Sequence, residues 1–421
     1  MKASQIKLKT SLKPYPEYKD SGIDWIGKIP KDFNVITLNK VLDYEQPGPY
    51  IAESISRIEE EGMIQVLTAG KGLIIGYTDD KNGIFLKQLP VIIFDDFTTS
   101  KQFISGPFKV RSSAMKILKP RNFQKENLKY LYYCMKVLGF QPLEHNRHWI
   151  SMYRHVYIPY PSYSNQEKIV RYLDEKTELI DQIAEKKKRL IELLKEKRTA
   201  IINQAVTKGL DPNADLVDSG IDWIGEIPKD WKVEKIKFIA PQRNQRILLD
   251  TLNNKNYVGL ENVVSWTGRF VESENETQLE SVVNIFEKGD VLFGKLRPYL
   301  AKVFTPSKDG VSSGELLSLI PDPKKIIQKF LFYRLISKDF IKLIDDSTYG
   351  TKMPRANWDF IGSQFIGFPL TSDQKNIVEY LDKKTEVVDQ IINMAESSIG
   401  KLKELKSSLI SNVVTGKVRI L

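Results

Sequence analysis

The sequence is poor in the residue types that most often carry chemistry. A single cysteine, Cys134, excludes an intrachain disulfide framework and a multi-cysteine metal site, and it fits a reducing compartment. Three histidines, His145, His148 and His155, lie within eleven residues. No second cluster of ligands accompanies them, and their spacing matches no common zinc site. We therefore expect no bound metal.

Long apolar runs and catalytic motifs are also lacking. No run approaches the ~18–20 residues of a membrane helix, and residues 1–10 lack the apolar core of a secretory signal, so we expect a cytoplasmic protein. No Gly-x-Gly-x-x-Gly and no Asn-Pro-Pro-aromatic motif is present. Residues 69–72 (AGKG) fail as a phosphate-binding loop, because Gln65 stands where the first glycine belongs. We expect no enzymatic activity and no cofactor bound by this chain.

Length and charge point to a multidomain protein with an anionic partner. A chain of 421 residues predicts two or three domains. Lys and Arg number 63 against 53 Asp and Glu, for a net charge of +10. This balance favours nucleic acid as the partner, although many basic proteins bind none.

The main positive signal is an internal repeat. Residues 20–35 (DSGIDWIGKIPKDFNV) and 218–233 (DSGIDWIGEIPKDWKV) are identical at thirteen of sixteen positions, at an offset of 198. Residues 164–183 and 372–391 match at thirteen of twenty positions, at an offset of 208. The segments between these blocks, 36–163 and 234–371, hardly resemble each other. Drift after duplication should blur all parts alike, so this pattern predicts two sites with different targets in one symmetric frame.

The constant block that begins at residue 164 predicts a long helix. Residues 164–207 contain neither Gly nor Pro, and Ser164 with Glu167 forms a capping box. At ~1.5 Å per residue such a helix spans roughly 66 Å. Apolar residues at heptad spacing predict that the two copies pack against each other as an antiparallel coiled coil. The predicted seam comprises Leu173, Ile180, Ile183, Leu190, Leu194 and Ile201 in the first copy, and Leu381, Val388, Ile391, Leu402, Leu405 and Leu409 in the second.

The variable segments predict a mixed α/β structure, so the fold class is α+β. Residues 89–94 (LPVIIF) and 290–293 (DVLF) have the composition of buried strands, whereas 128–138 and 330–343 have the periodicity of amphipathic helices. Asp95 and Asp96 follow the first of these strands. We interpret them as turn or positioning residues, not as metal ligands.

These residues resemble the specificity subunits of type I restriction-modification enzymes. The resemblance rests on the duplicated DSGIDWIG-x-IPKD opening, on a variable domain followed by a long helix, and on the helix endings AVTKG and VVTGK. Inside the variable segments it extends to LTAGK (67–71), VIIFDDFTT (91–99), GDVLFGKLRPYLAK (289–302), SSGE (312–315) and GTKMPR (350–355). Phe368–Pro369–Leu370 departs from the family's usual Ile-Pro-x-Pro.

The resemblance implies two globular target-recognition domains about a pseudo-two-fold axis, with the helices as a spacer. The implied segments are an N-terminal extension (1–19), domain 1 (20–163), helix 1 (164–210), domain 2 (211–371) and helix 2 (372–421). Each domain would read one half of a bipartite site on double-stranded DNA. Two methyltransferase subunits would methylate adenine after flipping the base out, and two translocase-nuclease subunits would complete the restriction form. S-adenosylmethionine, ATP and Mg²⁺ are expected on those partners.

Basic, hydroxyl and aromatic residues in the variable loops are the DNA-binding candidates, because such groups contact phosphates and base edges. They are Lys71, Thr98, Thr99, Lys101, Lys109, Arg111, Ser112, Arg147 and His148 in domain 1, and Lys295, Arg297, Tyr299, Ser312, Ser313, Lys352 and Arg355 in domain 2. Arg147 and Arg355 occupy the same repeat position. Since base contacts should differ between the halves, this equivalence predicts either phosphate contact or packing of the frame.

Two other function classes fit the sequence less well. A self-contained nuclease or methyltransferase would need the cofactor motifs that are missing, and activity of the isolated chain would support it. A non-catalytic coiled-coil scaffold that binds no specific DNA would leave the basic charge incidental. Failure to bind any duplex in the presence of partners would support that alternative.

Overall fold

The computed structural model describes residues 13–70, 72–138, 147–248, 256–272, 282–350 and 352–420. The chain forms two compact units: unit 1 comprises Met1–Lys186 with Ser397–Leu421, and unit 2 comprises Lys187–Glu396. Each unit therefore combines a globular part with a portion of both long helices. Among the described residues, no helix has the length and apolar character needed to cross a membrane.

Unit 1 is built on a four-stranded antiparallel sheet in the order β4-β10-β7-β8 and a three-stranded sheet in the order β6-β5-β9. Two short ribbons, β1-β2 and β3-β11, complete it. The strands are β1 (Tyr18–Asp20), β2 (Lys28–Pro30), β3 (Asn34–Thr37), β4 (Leu42–Glu45), β5 (Ile64–Leu67), β6 (Ile74–Thr78), β7 (Val91–Asp95), β8 (Lys101–Ile104), β9 (Lys109–Val110), β10 (Met115–Pro120) and β11 (Tyr157–Tyr160). The helices are α1 (Leu38–Val41), α2 (Leu128–Val137), α3 (His148–Ser151) and α4 (Tyr163–Lys208).

The apolar run at 89–94 forms β7, as its composition predicts. β7 lies between β10 and β8, and its first four residues are buried. A strand covered on both faces needs a continuous apolar run, not an alternating one. The predicted helix at 128–138 is also present as α2, where the Asn127 side chain accepts the backbone N–H groups of Lys129 and Tyr130.

Unit 2 contains a four-stranded sheet in the order β15-β17-β20-β16, a three-stranded sheet β19-β18-β21, and the ribbons β12-β13 and β14-β22. Its strands are β12 (Leu216–Asp218), β13 (Glu226–Pro228), β14 (Lys232–Lys235), β15 (Arg246–Leu248), β16 (Asn256–Val258), β17 (Val282–Phe286), β18 (Val291–Gly294), β19 (Val303–Phe304), β20 (Gly310–Ser312), β21 (Leu316–Leu319) and β22 (Phe365–Phe368). Its helices are α5 (Ile236–Ile239), α6 (Gln328–Leu335), α7 (Lys338–Asp346), α8 (Trp358–Ser363) and the long α9 (Thr371–Val414).

The single helix expected over 330–343 is wrong, since the structure divides this segment into α6 and α7. The division falls at Ser337, whose backbone is extended with ψ 145°. The buried Ser337 hydroxyl donates to the carbonyl of Arg334 at 2.7 Å and accepts from the Arg334 guanidinium at 2.8 Å. A serine that satisfies groups at a helix end favours interruption over continuation.

The long helices pack antiparallel within each unit. In unit 1, Ile169 and Leu173 near the start of α4 join the same core as Val413 and Val414 at the end of α9. In unit 2, residues near the end of α4, such as Ile202 and Val206, share a core with Ile377 and Leu381 near the start of α9. The helices therefore form part of each core and do not stand apart from the globular parts.

The seam of these helices corrects the sequence prediction at its second heptad position. Leu190 is 43% exposed and Leu405 is 42% exposed, whereas the residue after Leu190, Ile191, is buried. At the second heptad position, the buried residues lie one residue further along each helix than predicted, and some of them are polar. They are Thr177, Ile191 and Arg198 in α4, and Thr385 and Ile392 in α9. A selection by hydrophobicity alone chose the wrong heptad position, because polar residues occupy part of the buried seam.

The remaining predicted seam residues divide by degree of burial. Those that are buried are Leu173, Ile180, Leu381 and Val388. Those that are partly buried are Ile183, Leu194, Ile201, Ile391, Leu402 and Leu409. The first heptad position thus faces the interior most strongly where the helices meet the globular parts.

A buried glutamine joins each globular part to its long helix in the same way. In unit 1, Gln166 accepts the N–H of Asn127 at 2.9 Å and donates to the carbonyl of Pro161 at 3.0 Å. In unit 2, Gln374 bonds Ile327 and Pro369 at 2.9 and 2.8 Å. Because Gln374 is the repeat partner of Gln166, the constant blocks build equivalent joints.

Candidate DNA interface

Three segments of unit 2 that are distant in sequence meet at one loop cluster. The N–H of Lys295 donates to the carbonyl of Glu315 at 3.0 Å, and the carbonyl of Lys295 accepts from Ala356 at 2.9 Å. The N–H of Arg297 donates to the carbonyl of Pro354 at 2.8 Å. These bonds hold residues 295–297, 313–315 and 354–356 together, so candidates from separate motifs share one surface.

Within this cluster, Arg355 forms an ion pair with Glu315. Its Nη2 lies 2.9 Å from Oε1 of Glu315, and its Nε lies 3.2 and 3.3 Å from the two carboxylate oxygens. The side chains are 42% and 22% exposed, respectively. Hydrogen bonding to Glu315 raises the pKa of the guanidinium above its usual value. The guanidinium therefore keeps its charge, and the carboxylate holds it in one orientation.

The other candidates of unit 2 differ in exposure. Arg297 has a left-handed backbone, with φ 50°, immediately before Pro298. Tyr299 and Lys352 are exposed, whereas Ser312 and Ser313 are buried. The hydroxyl of Ser313 accepts the N–H of Glu315 at 3.2 Å, so it stabilises the loop from inside. The surface candidates are thus the basic and aromatic residues.

In unit 1 the corresponding cluster is organised by Asp96. Its carbonyl accepts the N–H of His148 at 2.9 Å, and its Oδ1 accepts the N–H of Trp149 at 2.8 Å. Its own N–H donates to the carbonyl of Ala114 at 2.9 Å. The buried carboxylate also lies 3.3 Å from the ammonium of Lys116. Asp96 therefore joins the turn after β7, the segment before β10 and the start of α3.

Asp95 shapes the same turn, since its Oδ1 accepts the N–H groups of Phe97 and Thr98 at 3.0 and 2.7 Å. The two aspartates therefore make turn and positioning contacts, in line with the interpretation from the sequence. Among the described residues, no group of three or more histidine, cysteine or carboxylate side chains is arranged to hold a metal ion.

The candidates of unit 1 fall into exposed and buried sets. The exposed ones are Thr98, Arg111, Ser112 and Arg147, and the buried ones are Thr99, Lys109 and His148. The ammonium of Lys109 is bonded to the carboxylate of Asp80 and the carbonyl of Asn82. In this arrangement Lys109 has a structural partner inside the unit. Lys71 lies outside the described residues.

Lys101 occupies an unusual environment for a lysine. Its ammonium donates to the hydroxyl of Tyr153 at 2.6 Å and lies 3.4 Å from the carbonyl of Leu138. Burial, and to a lesser degree the charge of Lys136, lowers the pKa of Lys101 to about 8. The burial of the charged ammonium of Lys101 therefore lowers the free energy of unfolding.

Sequence reasoning missed Glu315 as a site residue, whereas it interpreted Asp96 as a turn or positioning residue. Glu315 lies inside the motif SSGE and Asp96 inside the motif VIIFDDFTT. The available sequence signal was therefore an acidic residue within a motif of the resemblance that is rich in hydroxyl groups. In the structure the two carboxylates act on backbone N–H groups and on one guanidinium.

An apolar stripe that is partly exposed to solvent lies on each long helix, beside the seam. It consists of Leu179 and Ile183 on α4 and of Val387 and Ile391 on α9, which are repeat partners at an offset of 208. Leu179 is 44% exposed and Val387 is 54% exposed. We call these residues the outer stripe. Apolar side chains kept at equivalent exposed positions are typical of a surface that contacts another molecule.

Comparisons with known proteins agree on one family. Residues 228–398 match the family model described as the type I restriction modification DNA specificity domain. The chain is 28% identical over 371 residues to the type I restriction enzyme EcoR124I/EcoR124II specificity subunit of Escherichia coli, covering 85% of this chain and 87% of that protein. It is 22% identical over 416 residues to the MjaVIII specificity subunit of Methanocaldococcus jannaschii, covering 93% and 94%.

The fold has a solved counterpart. A chain from a structure concerned with complex assembly and conformational transition of the type I R-M system superimposes with a TM-score of 0.63 at 12% identity. The superposition covers 92% of this chain and 98% of that chain. The likeness extends over both units and both long helices.

Proposed function

We propose that this chain, which is similar over most of its length to type I restriction enzyme specificity subunits, recognises a bipartite, asymmetric DNA site, one half through each loop cluster. The observation that carries the proposal is the contrast between frame and loops. The constant blocks build equivalent joints, whereas the loops differ in sequence and in the acidic residue that organises them. Two different loop clusters, held by the same repeated constant blocks, suit two different half-sites.

The proposed mode of recognition is direct readout supported by phosphate contacts. Arg111, Arg147, Arg297 and Lys352 are the basic candidates that lie wholly or partly at the surface of the two clusters. Cations at such positions attract phosphates and fix the register, while neighbouring side chains reach base edges. The net charge of +10 favours the same partner.

The chain itself is proposed to supply no chemistry. In the proposal, methyltransferase subunits bring S-adenosylmethionine and methylate an adenine in each half-site, and translocase-nuclease subunits bring ATP and Mg²⁺. The outer stripe supports two copies of one partner, because Leu179 and Val387 present similar apolar side chains at equivalent positions. The length of α4, 46 residues, supports a role as a ruler for the spacer between half-sites.

Methylome sequencing tests the proposal. The chain is expressed with its methyltransferase partner in a host that lacks other DNA methylation. We expect one bipartite motif with methyladenine in both halves. Assembly of the complex without any new methylation, and without binding to a pool of random duplexes, would contradict the proposal and favour a scaffold.

A further inference from the structure

Arg355 and Arg147 occupy the same repeat position but differ in their side-chain contacts among the described residues. Arg355 is bound by the Glu315 carboxylate through Nε and Nη2. Arg147 is exposed, and no carboxylate among the described residues is paired with it. The carboxylate of Asp96, which organises that cluster, is instead engaged with Trp149 and Lys116. The shared position therefore does not imply a shared role.

The Glu315 pair leaves one side of the Arg355 guanidinium available. A guanidinium has five N–H groups, and Glu315 takes the one on Nε and one on Nη2. Both N–H groups on Nη1 and the second one on Nη2 remain. Within the described part of the chain no acceptor is bonded to them, and the side chain is 42% exposed. The free edge therefore presents two parallel donors in a fixed orientation.

The charge of the pair decides which acceptor suits this edge. Because Glu315 neutralises the charge of Arg355, the pair attracts a phosphate far less than an unpaired arginine does. A base edge is uncharged and needs oriented donors instead. Guanine presents N7 and O6 in the major groove at the spacing of a guanidinium fork, and this is the commonest specific arginine contact. The neighbouring Lys295 and Arg297 supply the cations that phosphates require.

We propose that Arg355 reads a guanine in the half-site recognised by unit 2, and that Glu315 is the positioning residue that fixes its fork. The inference rests on the proposed function, since it assumes that unit 2 contacts DNA. It goes beyond that function by assigning one base pair to one residue. It also replaces the expectation of a phosphate or frame-packing role for Arg355, while Arg147 keeps the charge that suits a phosphate.

The test compares Arg355→Lys and Glu315→Gln with the unchanged chain, each in complex with the methyltransferase partner. Lysine retains the charge but loses the fork, and glutamine retains the size but loses one carboxylate oxygen. Arg246→Lys is the matched control, because Arg246 is an exposed arginine on β15 outside the loop cluster. Thermal unfolding and assembly of each complex verify that the variants fold.

Three readouts separate the alternatives: the methylated motif, the affinity for duplexes substituted at each G·C pair, and the dependence of affinity on salt. If the inference holds, both variants relax the same single G·C pair in one half-site. Discrimination there falls roughly 10-fold or more, while the other half-site stays unchanged in both variants and the salt slope stays unchanged in Arg355→Lys, which keeps the charge. The control retains the original motif and affinity.

Other outcomes overturn the inference in distinguishable ways. A change of affinity that is uniform over all duplexes, with no loss of discrimination at any single base pair, identifies a phosphate contact. An unchanged motif with unchanged affinity identifies a packing residue. If the unchanged complex itself yields no bipartite motif, the proposed function fails first, and the inference fails with it.

Discussion

The two units share their joints to the long helices but hold their loop clusters by different chemistry. Gln166 and Gln374 make matching hydrogen bonds in the two joints. In contrast, unit 1 anchors its loops with a buried carboxylate, Asp96, that binds backbone N–H groups. Unit 2 uses a partly exposed carboxylate, Glu315, that binds a side chain. Equivalent architecture therefore supports different surface chemistry.

A second pair of contacts shows the same division between frame and surface. Tyr133 donates its hydroxyl to Asp174 at 2.6 Å in unit 1, and Tyr333 donates to Asp382 at 2.6 Å in unit 2. Asp382 is the repeat partner of Asp174 on the long helices. Contacts that involve the constant blocks are duplicated together with their partners. Contacts made only among variable residues are not.

The largest expected effect comes from breaking the joints. Gln166→Leu removes one acceptor and one donor and leaves buried backbone groups without partners, so we expect unit 1 to lose about 2–4 kcal/mol of stability. Gln374→Leu should cost unit 2 a similar amount. Hydrogen exchange, read on peptides from α2 and α6, measures each unit separately.

Gln182→Leu is the control for this comparison, because Gln182 is exposed and bonds only Glu178 on the same helix at 3.4 Å. It should change the stability by less than about 0.5 kcal/mol. Losses in the two joints that differ by more than about 1 kcal/mol would show that the frame is not energetically equivalent.

The ion pairs between the long helices extend the comparison of the two units, because pairs at equivalent repeat positions differ in burial. Arg198 pairs with Asp389 at 3.0 Å, is 9% exposed and also donates to the carbonyl of Trp266 at 2.7 Å. We expect Arg198→Gln to destabilise unit 2 by about 1–3 kcal/mol, since it leaves a mostly buried carboxylate and a carbonyl unpaired.

The repeat partner of Arg198 is Lys406, which pairs with Asp181 at 2.6 Å in unit 1. These side chains are 31% and 62% exposed, so Lys406→Gln should cost less than about 0.5 kcal/mol. Denaturant unfolding followed by hydrogen exchange measures both variants. Equal costs would mean that burial does not control these pairs.

The final comparison is a pH dependence concentrated in unit 1. Burial lowers the pKa of Lys101 to about 8, so the unfolded chain binds more protons than the folded chain between about pH 8 and 10.5. Stability should therefore rise with pH across this window, by about 3 kcal/mol because each pKa unit corresponds to about 1.4 kcal/mol, and be flat below it. Lys101→Met should stabilise unit 1 at pH 7 and remove the rise.

Lys302 of unit 2 is the natural reference for this effect. Burial also lowers the pKa of its ammonium, but the charge of Glu261 opposes the shift. Lys302→Met should therefore change the pH dependence of unit 2 less than Lys101→Met changes that of unit 1. A larger effect in unit 2, measured by unfolding between pH 7 and 10, would contradict the assignment.

Sequence patterns predicted the elements that rest on local rules. The buried strand at β7 and the capped helix α2 follow from composition and from Asn127 at the N-cap. Patterns failed where a polar residue took part in packing. Thr177 and Arg198 occupy the true seam, and a purely apolar search therefore chose Leu190 and Leu405.

The sequence identified the candidate loops only in part, because residue type alone does not show which side chains are buried or paired. Lys295, Arg297 and Arg355 were selected by residue type, and the structure brings their segments together. Residue type could not reveal that Lys109 is buried against Asp80 or that Glu315 binds Arg355. Such pairings join positions 29 and 40 residues apart along the chain, beyond the reach of any local pattern.

The amino-acid sequence by itself determined the duplication, the two long helices, the absence of the cofactor motifs sought and the resemblance to type I specificity subunits. These follow from repeated sequence segments and from helical periodicity, both of which the amino-acid sequence shows directly. Only the tertiary structure decided which heptad residues face inward, which cations are already paired, and that Arg355 is bound by Glu315 whereas no described carboxylate pairs with Arg147. Those properties depend on contacts between distant segments, because burial and charge pairing arise only when the chain has folded.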